Sequence, residues 1–193
     1  MDWEQRFQEN STPWERSRLH PVISDWASAG VFQPGSRVLI PGCGRSPELV
    51  HLTSLGLKVT GFDLSETAIG WQRERLEERG LDAELIAGDA FTWAPSHPID
   101  LIYEQTFLCA IPPALRETYE ACAYRWLKPG GGFLALFMQK TERGGPPYAC
   151  SLEAMHTLFP ANRWDWPENE SFTPYPHPNL NDKPELAGVL RRR

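Results

Sequence analysis

Two glycines and three acids carry most of the chemistry this chain can do. Gly42 and Gly44 stand in the stretch Arg37 to Leu52, RVLIPGCGRSPELVHL. Asp63 closes the run Lys58-Val59-Thr60-Gly61-Phe62, 21 residues past Gly42, close to the interval at which an acid grips a ribose diol. The third position of GxGxxG holds Pro47 instead of glycine. In a dinucleotide site that third glycine lets the helix pack close, with its N-terminus facing a pyrophosphate. Two glycines, a proline and an acid at this spacing instead suit a nucleoside that carries no phosphate. Asp89 follows the strand-like run Ala83 to Ile86 and is placed to reach the same crevice. It either accepts from an adenine amino group, with the Ala90 N–H near the ring, or caps a turn; position alone leaves both open. Glu104 ends a further apolar run, Ile99 to Tyr103.

The elements that must hold these residues follow from local pattern. Val38-Leu39-Ile40 has the character of a strand buried on both faces. Ser46-Pro47 then opens a helix, with a hydroxyl at the cap and a proline in the first turn. Ser65 starts a second, long helix that ends near Gly80, and Pro112-Pro113 opens a third that runs through Leu127. Lys128 to Gly132 is expected to be a tight turn into a strand from Phe133 to Met138, and Arg163 to Pro167 and Leu186 to Leu190 are further strand candidates. Strands and helices alternate through residue 138, which predicts a doubly wound α/β domain with a parallel sheet and right-handed crossovers. Its ligand site is expected at the carboxyl ends of the strands. S-adenosylmethionine is the obvious phosphate-free candidate for that site.

Residues 1–34 precede the first strand. Asp2 can cap a short helix that ends around Ser11-Thr12-Pro13-Trp14, and Val22, Ile23, Trp26 and Ala27 form a second, amphipathic one. Trp26 is expected in the core. Trp3 and Trp14 sit on a polar segment with no apolar face to join, where aromatic rings suit a sulfonium cation. The 193 residues fit one domain, 1–193, with 1–34 as a lid or extension.

Net charge is −6 and the isoelectric point about 5.4, with a basic run only at Arg191-Arg192-Arg193. Nucleic acid is therefore not an expected partner. No apolar run reaches a membrane span, and MDWEQRFQEN is too polar for a signal peptide. A cytoplasmic monomer is expected. Cys43, Cys109, Cys122 and Cys150 lack metal spacing, and the five histidines form no HxxxH-type pair. Free thiols and no structural metal are the expectation.

Six segments together resemble the thiopurine S-methyltransferase family, which includes the halide, thiol and thiocyanate methyltransferase branch. They are LIPGCGRSPELVHL, GFDLSETAI, QTFLCAIPP, LKPGGG, GGPPYACS and TPWE. The resemblance implies a Rossmann-like class I methyltransferase fold. Its mostly parallel seven-stranded sheet has an antiparallel last strand, helices on both faces and an N-terminal helical lid. It also implies S-adenosyl-L-methionine as cofactor and a small-molecule acceptor: a thiol, halide, thiocyanate, thiopurine or metalloid oxyanion. Position by position, Trp3 and Trp14 match aromatics that enclose the cofactor. Gly42 matches the glycine beside the methionine end, Asp63 the ribose acid, and Asp89 and Ala90 the adenine contacts. Gln105 falls where the halide and thiol branch has a tyrosine near cofactor and acceptor, and Glu104 where it often has aspartate. Cys109 and Tyr148 match pocket positions facing the acceptor.

In-line transfer from a sulfonium needs alignment and exclusion of water more than covalent help. A neutral thiol is mostly protonated at neutral pH and gains from a base. Glu104 is the candidate base, or else only hydrogen-bonds the cofactor's amino group or the lid; Tyr148 orients the acceptor or closes the pocket, or simply packs. Cys109 reads as a pocket wall, since direct transfer needs no nucleophile. Two other classes compete: a nicotinamide-dependent oxidoreductase, which Pro47 disfavours, and a non-catalytic S-adenosylmethionine-binding protein.

Overall fold

Val38, Leu39 and Ile40 are almost fully buried in the middle of the first strand, β1 (Arg37–Pro41), as a run apolar on both faces requires. In the computed structural model, which describes residues 1–193, the chain divides into two compact units, Met1–Trp93 and Ala94–Arg193.

In the first unit, β2 (Lys58–Asp63) runs parallel to β1, and β3 (Glu84–Ala87) parallel to β2, in the order β3-β2-β1. The register pairs Pro41 with Phe62 and Asp63 with Ala87. The tips of β1 and β2 therefore end level, with the glycine turn leaving one and Asp63 closing the other. Before the strands come α1 (Trp3–Gln8), capped by Asp2, and α2 (Val22–Ser28), which buries Val22, Ile23 and Trp26. After β1 comes α3 (Pro47–Ser54). The Ser46 hydroxyl accepts from the Glu48 N–H at its start. After β2 comes α4 (Glu66–Glu77), where Ser65 accepts from the Ala68 N–H. Helix α3 approaches β2 closely at Gly61: a Cβ there would lie 2.5 Å from the Leu49 side chain.

In the second unit, β4 (Ile99–Gln105) leads through a 3-10 turn to α5 (Arg116–Trp126) and β5 (Leu127–Met138). The expected turn at Lys128–Gly132 lies inside β5. The β4–β5 register jumps from Ile99↔Leu127 to Leu101↔Gly132, so these residues form a bulge, with Gly130 at φ +75°. Next come α6 (Leu152–Leu158), β6 (Trp164–Asp165), β7 (Thr173–Pro176) and β8 (Pro184–Arg192). Strand β8 runs antiparallel to β5. Its other edge is shared by β7 along the first part and β6 at the end. The first unit holds three strands and the second five, one more in all than the expected seven, and β7 is the unexpected one. Pro174 and Pro176 disguise it in sequence; an outer strand tolerates them because it need not donate on both sides. An aromatic core of Phe133, Phe137, Phe159 and Trp164 backs this unit. No helix is long and apolar enough to cross a membrane.

Candidate active site

The turn after β1 needs its glycines. Gly42 and Gly44 have φ of +57° and +45°, in the left-handed region that side chains disfavour. The Cys43 N–H donates to the Phe62 carbonyl at 2.9 Å, fastening the turn to the neighbouring strand. Asp63 fastens it a second time: its Oδ2 accepts from the Gly44 N–H and its Oδ1 from the Ser65 N–H, both at 2.9 Å. From the other side Gln72, fully buried on α4, donates to the Gly44 carbonyl at 2.9 Å and the Ser46 carbonyl at 3.0 Å. Burial raises the Asp63 carboxyl above its ordinary range, against the pull of the backbone donors from Ser65, Gly44 and Leu64. Asp63 and the glycine turn are thus brought together as the spacing predicts.

The N-terminal segment and Arg45 add residues that local pattern did not single out. Phe7 is buried on Gly44; a Cβ there would meet the Phe7 ring at 3.1 Å and Asp63 Oδ2 at 4.0 Å. Glu4 accepts from the Ser65 hydroxyl at 2.6 Å, the Thr67 hydroxyl at 2.5 Å and the Thr67 N–H at 3.2 Å. Arg45 donates to the Phe7 carbonyl at 2.9 Å and to Asn10 Oδ1 at 2.8 Å. Trp3 and Trp14 do find an apolar surface to join. Their rings pack edge to face at 5.4 Å, and Phe7 lies 6.0 Å from Trp14. Asp89 is exposed and its Oδ1 accepts from the Phe91 N–H at 2.9 Å, capping the 3-10 turn Ala90–Thr92, while Ala90 itself is buried. The Gly88 N–H donates to the Asp63 carbonyl at 2.8 Å and ties this corner to the tip of β2.

The second unit groups the remaining candidates. Glu104 is 1% exposed and accepts from the Leu108 N–H at 2.6 Å. Burial pushes its carboxyl up to about 7; the Leu108 bond and Arg116 pull it down, and Glu185 pushes it up. Gln105 accepts from the Tyr103 hydroxyl at 2.9 Å. Thr106 holds φ +61°, a strained state for a β-branched residue and one that clusters at functional sites. Cys109, buried, donates its thiol to the Thr106 carbonyl at 3.4 Å, and its own carbonyl accepts from the Tyr148 N–H at 2.7 Å. Arg116 is an unanticipated member. It donates to the carbonyls of Leu108 at 3.2 Å and Ala149 at 3.0 Å and to Cys150 Sγ at 3.4 Å. Burial raises the Cys109 thiol well above its ordinary value, and Cys150 to about 12.

An α/β chain of this topology, with a glycine turn at one strand tip bonded to an acid at the next, has the Rossmann-like class I methyltransferase fold. Solved structures share the fold. A Burkholderia thailandensis 1,6-didemethyltoxoflavin-N1-methyltransferase superposes with a TM-score of 0.74 at 17% identity, covering 100% of this chain and 85% of that one. The thiopurine S-methyltransferase family profile matches residues 1–177, and the chain belongs to that family. It is 34% identical over 153 residues to a probable thiol methyltransferase 2 of Arabidopsis thaliana, covering 78% of this chain and 67% of that protein. It is 30% identical over 185 residues to a thiopurine S-methyltransferase of Xanthomonas campestris pv. campestris strain 8004, covering 87% and 84%. Family and fold together make it a methyltransferase dependent on S-adenosylmethionine.

Proposed function

We propose that the chain methylates a small thiol, or a comparably soft anion, and that the residues named above divide the work as follows. The observation that carries the cofactor assignment is the 2.9 Å bond between Asp63 and the Gly44 N–H, which sets the acid beside the glycine turn. Gly42 and Gly44 take the methionine end of S-adenosylmethionine, Asp63 the ribose diol, and Asp89 and Ala90 the adenine. Trp3, Trp14 and Phe7 cover it; Gln105, in the second unit, is the remaining cofactor-binding candidate. When bound, the cofactor supplies an electrophilic methyl on a charged leaving group, so alignment and dryness carry most of the barrier reduction.

Cys109 and Tyr148 wall the acceptor position, joined to each other through the backbone bond between them. Glu104, with its carboxyl near 7, takes the proton from a neutral thiol at physiological pH. Its bond to the Leu108 N–H favours a second reading, in which it only shapes the turn that carries Cys109. Labelled cofactor with a panel of thiols and preformed anions separates the two. As base, Glu104→Gln cuts thiol methylation at least tenfold and leaves thiocyanate or iodide methylation nearly intact. Equal loss on both classes assigns Glu104 to shape alone. A small acceptor, a monomer and a cytoplasmic setting complete the reading, and the acidic isoelectric point with no basic stripe supports a chain that does not take nucleic acid as its partner.

A further inference from the structure

We propose that Glu4 is a cofactor-positioning residue, the latch that holds the lid helix α1 shut over the glycine turn and the ribose acid. The inference rests on the S-adenosylmethionine site assigned above.

The lid is fastened at two points. At one, the Glu4 carboxylate takes three donors at the head of α4: both hydroxyls of Ser65 and Thr67 and the Thr67 N–H. These donors lie two and four residues past Asp63. Such bonds to a charged acceptor are the strong kind, reinforced by the positive end of the helix. The Ser65 and Thr67 hydroxyls accordingly hold the Glu4 carboxyl down at about 2, so the latch stays charged across the physiological range. At the other point, Arg45, the residue after Gly44, grips the carbonyl end of α1 through the Phe7 carbonyl and Asn10, with its guanidinium 5.6 Å from the Phe7 ring.

Between the two fastenings sits Phe7, 3% exposed, on Gly44 and near Asp63 Oδ2. The arrangement couples lid and site directly. The same short segment, 63–67, presents the ribose acid on one side and the latch donors on the other. Releasing Glu4 frees α1 at its N-terminal half and lifts the Phe7 ring from the turn. A residue acting this way alters how tightly the cofactor is held, not how fast the methyl moves once the cofactor is in place.

Calorimetry with S-adenosylhomocysteine tests this in the full chain. Glu4→Ala is expected to weaken binding about tenfold or more, a loss of the size that charged hydrogen bonds carry. At saturating cofactor, kcat and the acceptor KM stay within about twofold. Thr67→Val removes one donor and is expected to weaken binding less. The double variant Glu4→Ala/Thr67→Val is expected to bind no worse than Glu4→Ala alone, because the two act through one contact. Independent, additive losses overturn the latch, as does unchanged affinity in Glu4→Ala. A reduced kcat at saturating cofactor also overturns it, by placing Glu4 in the transfer step. A wild-type chain that gives no heat with S-adenosylhomocysteine defeats the cofactor assignment itself. A wild-type chain that binds while the Glu4 variants match it defeats the latch alone.

Discussion

Glu104 has its ordinary carboxyl value of 4.5 moved to about 7 by burial, so the folded chain binds that proton more tightly than the unfolded one. The stabilisation this gives is complete below about 4.5 and is lost as the pH rises through about 7. At pH 8 the ionised group therefore costs stability, on the order of 3 kcal/mol from a shift of this size. Glutamine carries no charge at either pH and keeps a carbonyl for the Leu108 N–H. Thermal unfolding of Glu104→Gln is expected several degrees above wild type at pH 8 and close to it at pH 5; a constant difference at both would show that the charge is not what burial penalises. Residues of this kind differ in how far the sequence reveals them. The glycine turn and Asp63 are legible because one strand-turn-helix-strand unit fixes their interval. Glu4 reaches Ser65 across 61 positions and Arg116 reaches Ala149 across 33. No local period encodes such pairs, so they appear only when the chain is folded. Trp3 and Trp14 were legible as special but not as partners of each other, since the turn between them is what brings them together.

Elements pack through their smallest residues. Gly188 on β8 faces Phe172 so closely that a Cβ would stand 2.2 Å from the ring. Gly188→Ala must push aside the residue that leads into β7, and urea unfolding is expected to show a loss of at least about 2 kcal/mol, typical of an overpacked core. Gly70 supplies the contrast: it is inside α4 with open space where a Cβ would go. Gly70→Ala is expected to raise stability by about 0.5–1 kcal/mol through helix propensity. A loss at Gly70 would mean that α4 bends there. Strand and helix identities were mostly visible beforehand, because apolar runs and hydroxyl caps are local signals. What was hidden is how the strands end and add. The Lys128–Gly132 glycines read as a turn but are absorbed into β5 as a bulge. Strand β7 is concealed by two prolines that only an outer strand accepts.

For the molecule as a whole, a ligand that binds only the folded chain raises its apparent stability by mass action, about 2.7 kcal/mol at a hundredfold excess over Kd. S-adenosylhomocysteine is accordingly expected to raise the unfolding temperature by several degrees, and NADH to leave it unchanged. A shift with NADH instead would restore the oxidoreductase reading that Pro47 disfavours. All four cysteines are buried and free, and Cys43 sits inside the very turn proposed to hold a reactive methyl sulfonium. Its thiol is kept protonated by burial and by the neighbouring Asp63 charge, and a protonated thiol is a poor nucleophile. The protein is thereby insulated from alkylating itself. Its intact mass should stay unchanged through prolonged incubation with the donor alone, and every methyl it spends is left for an outside partner.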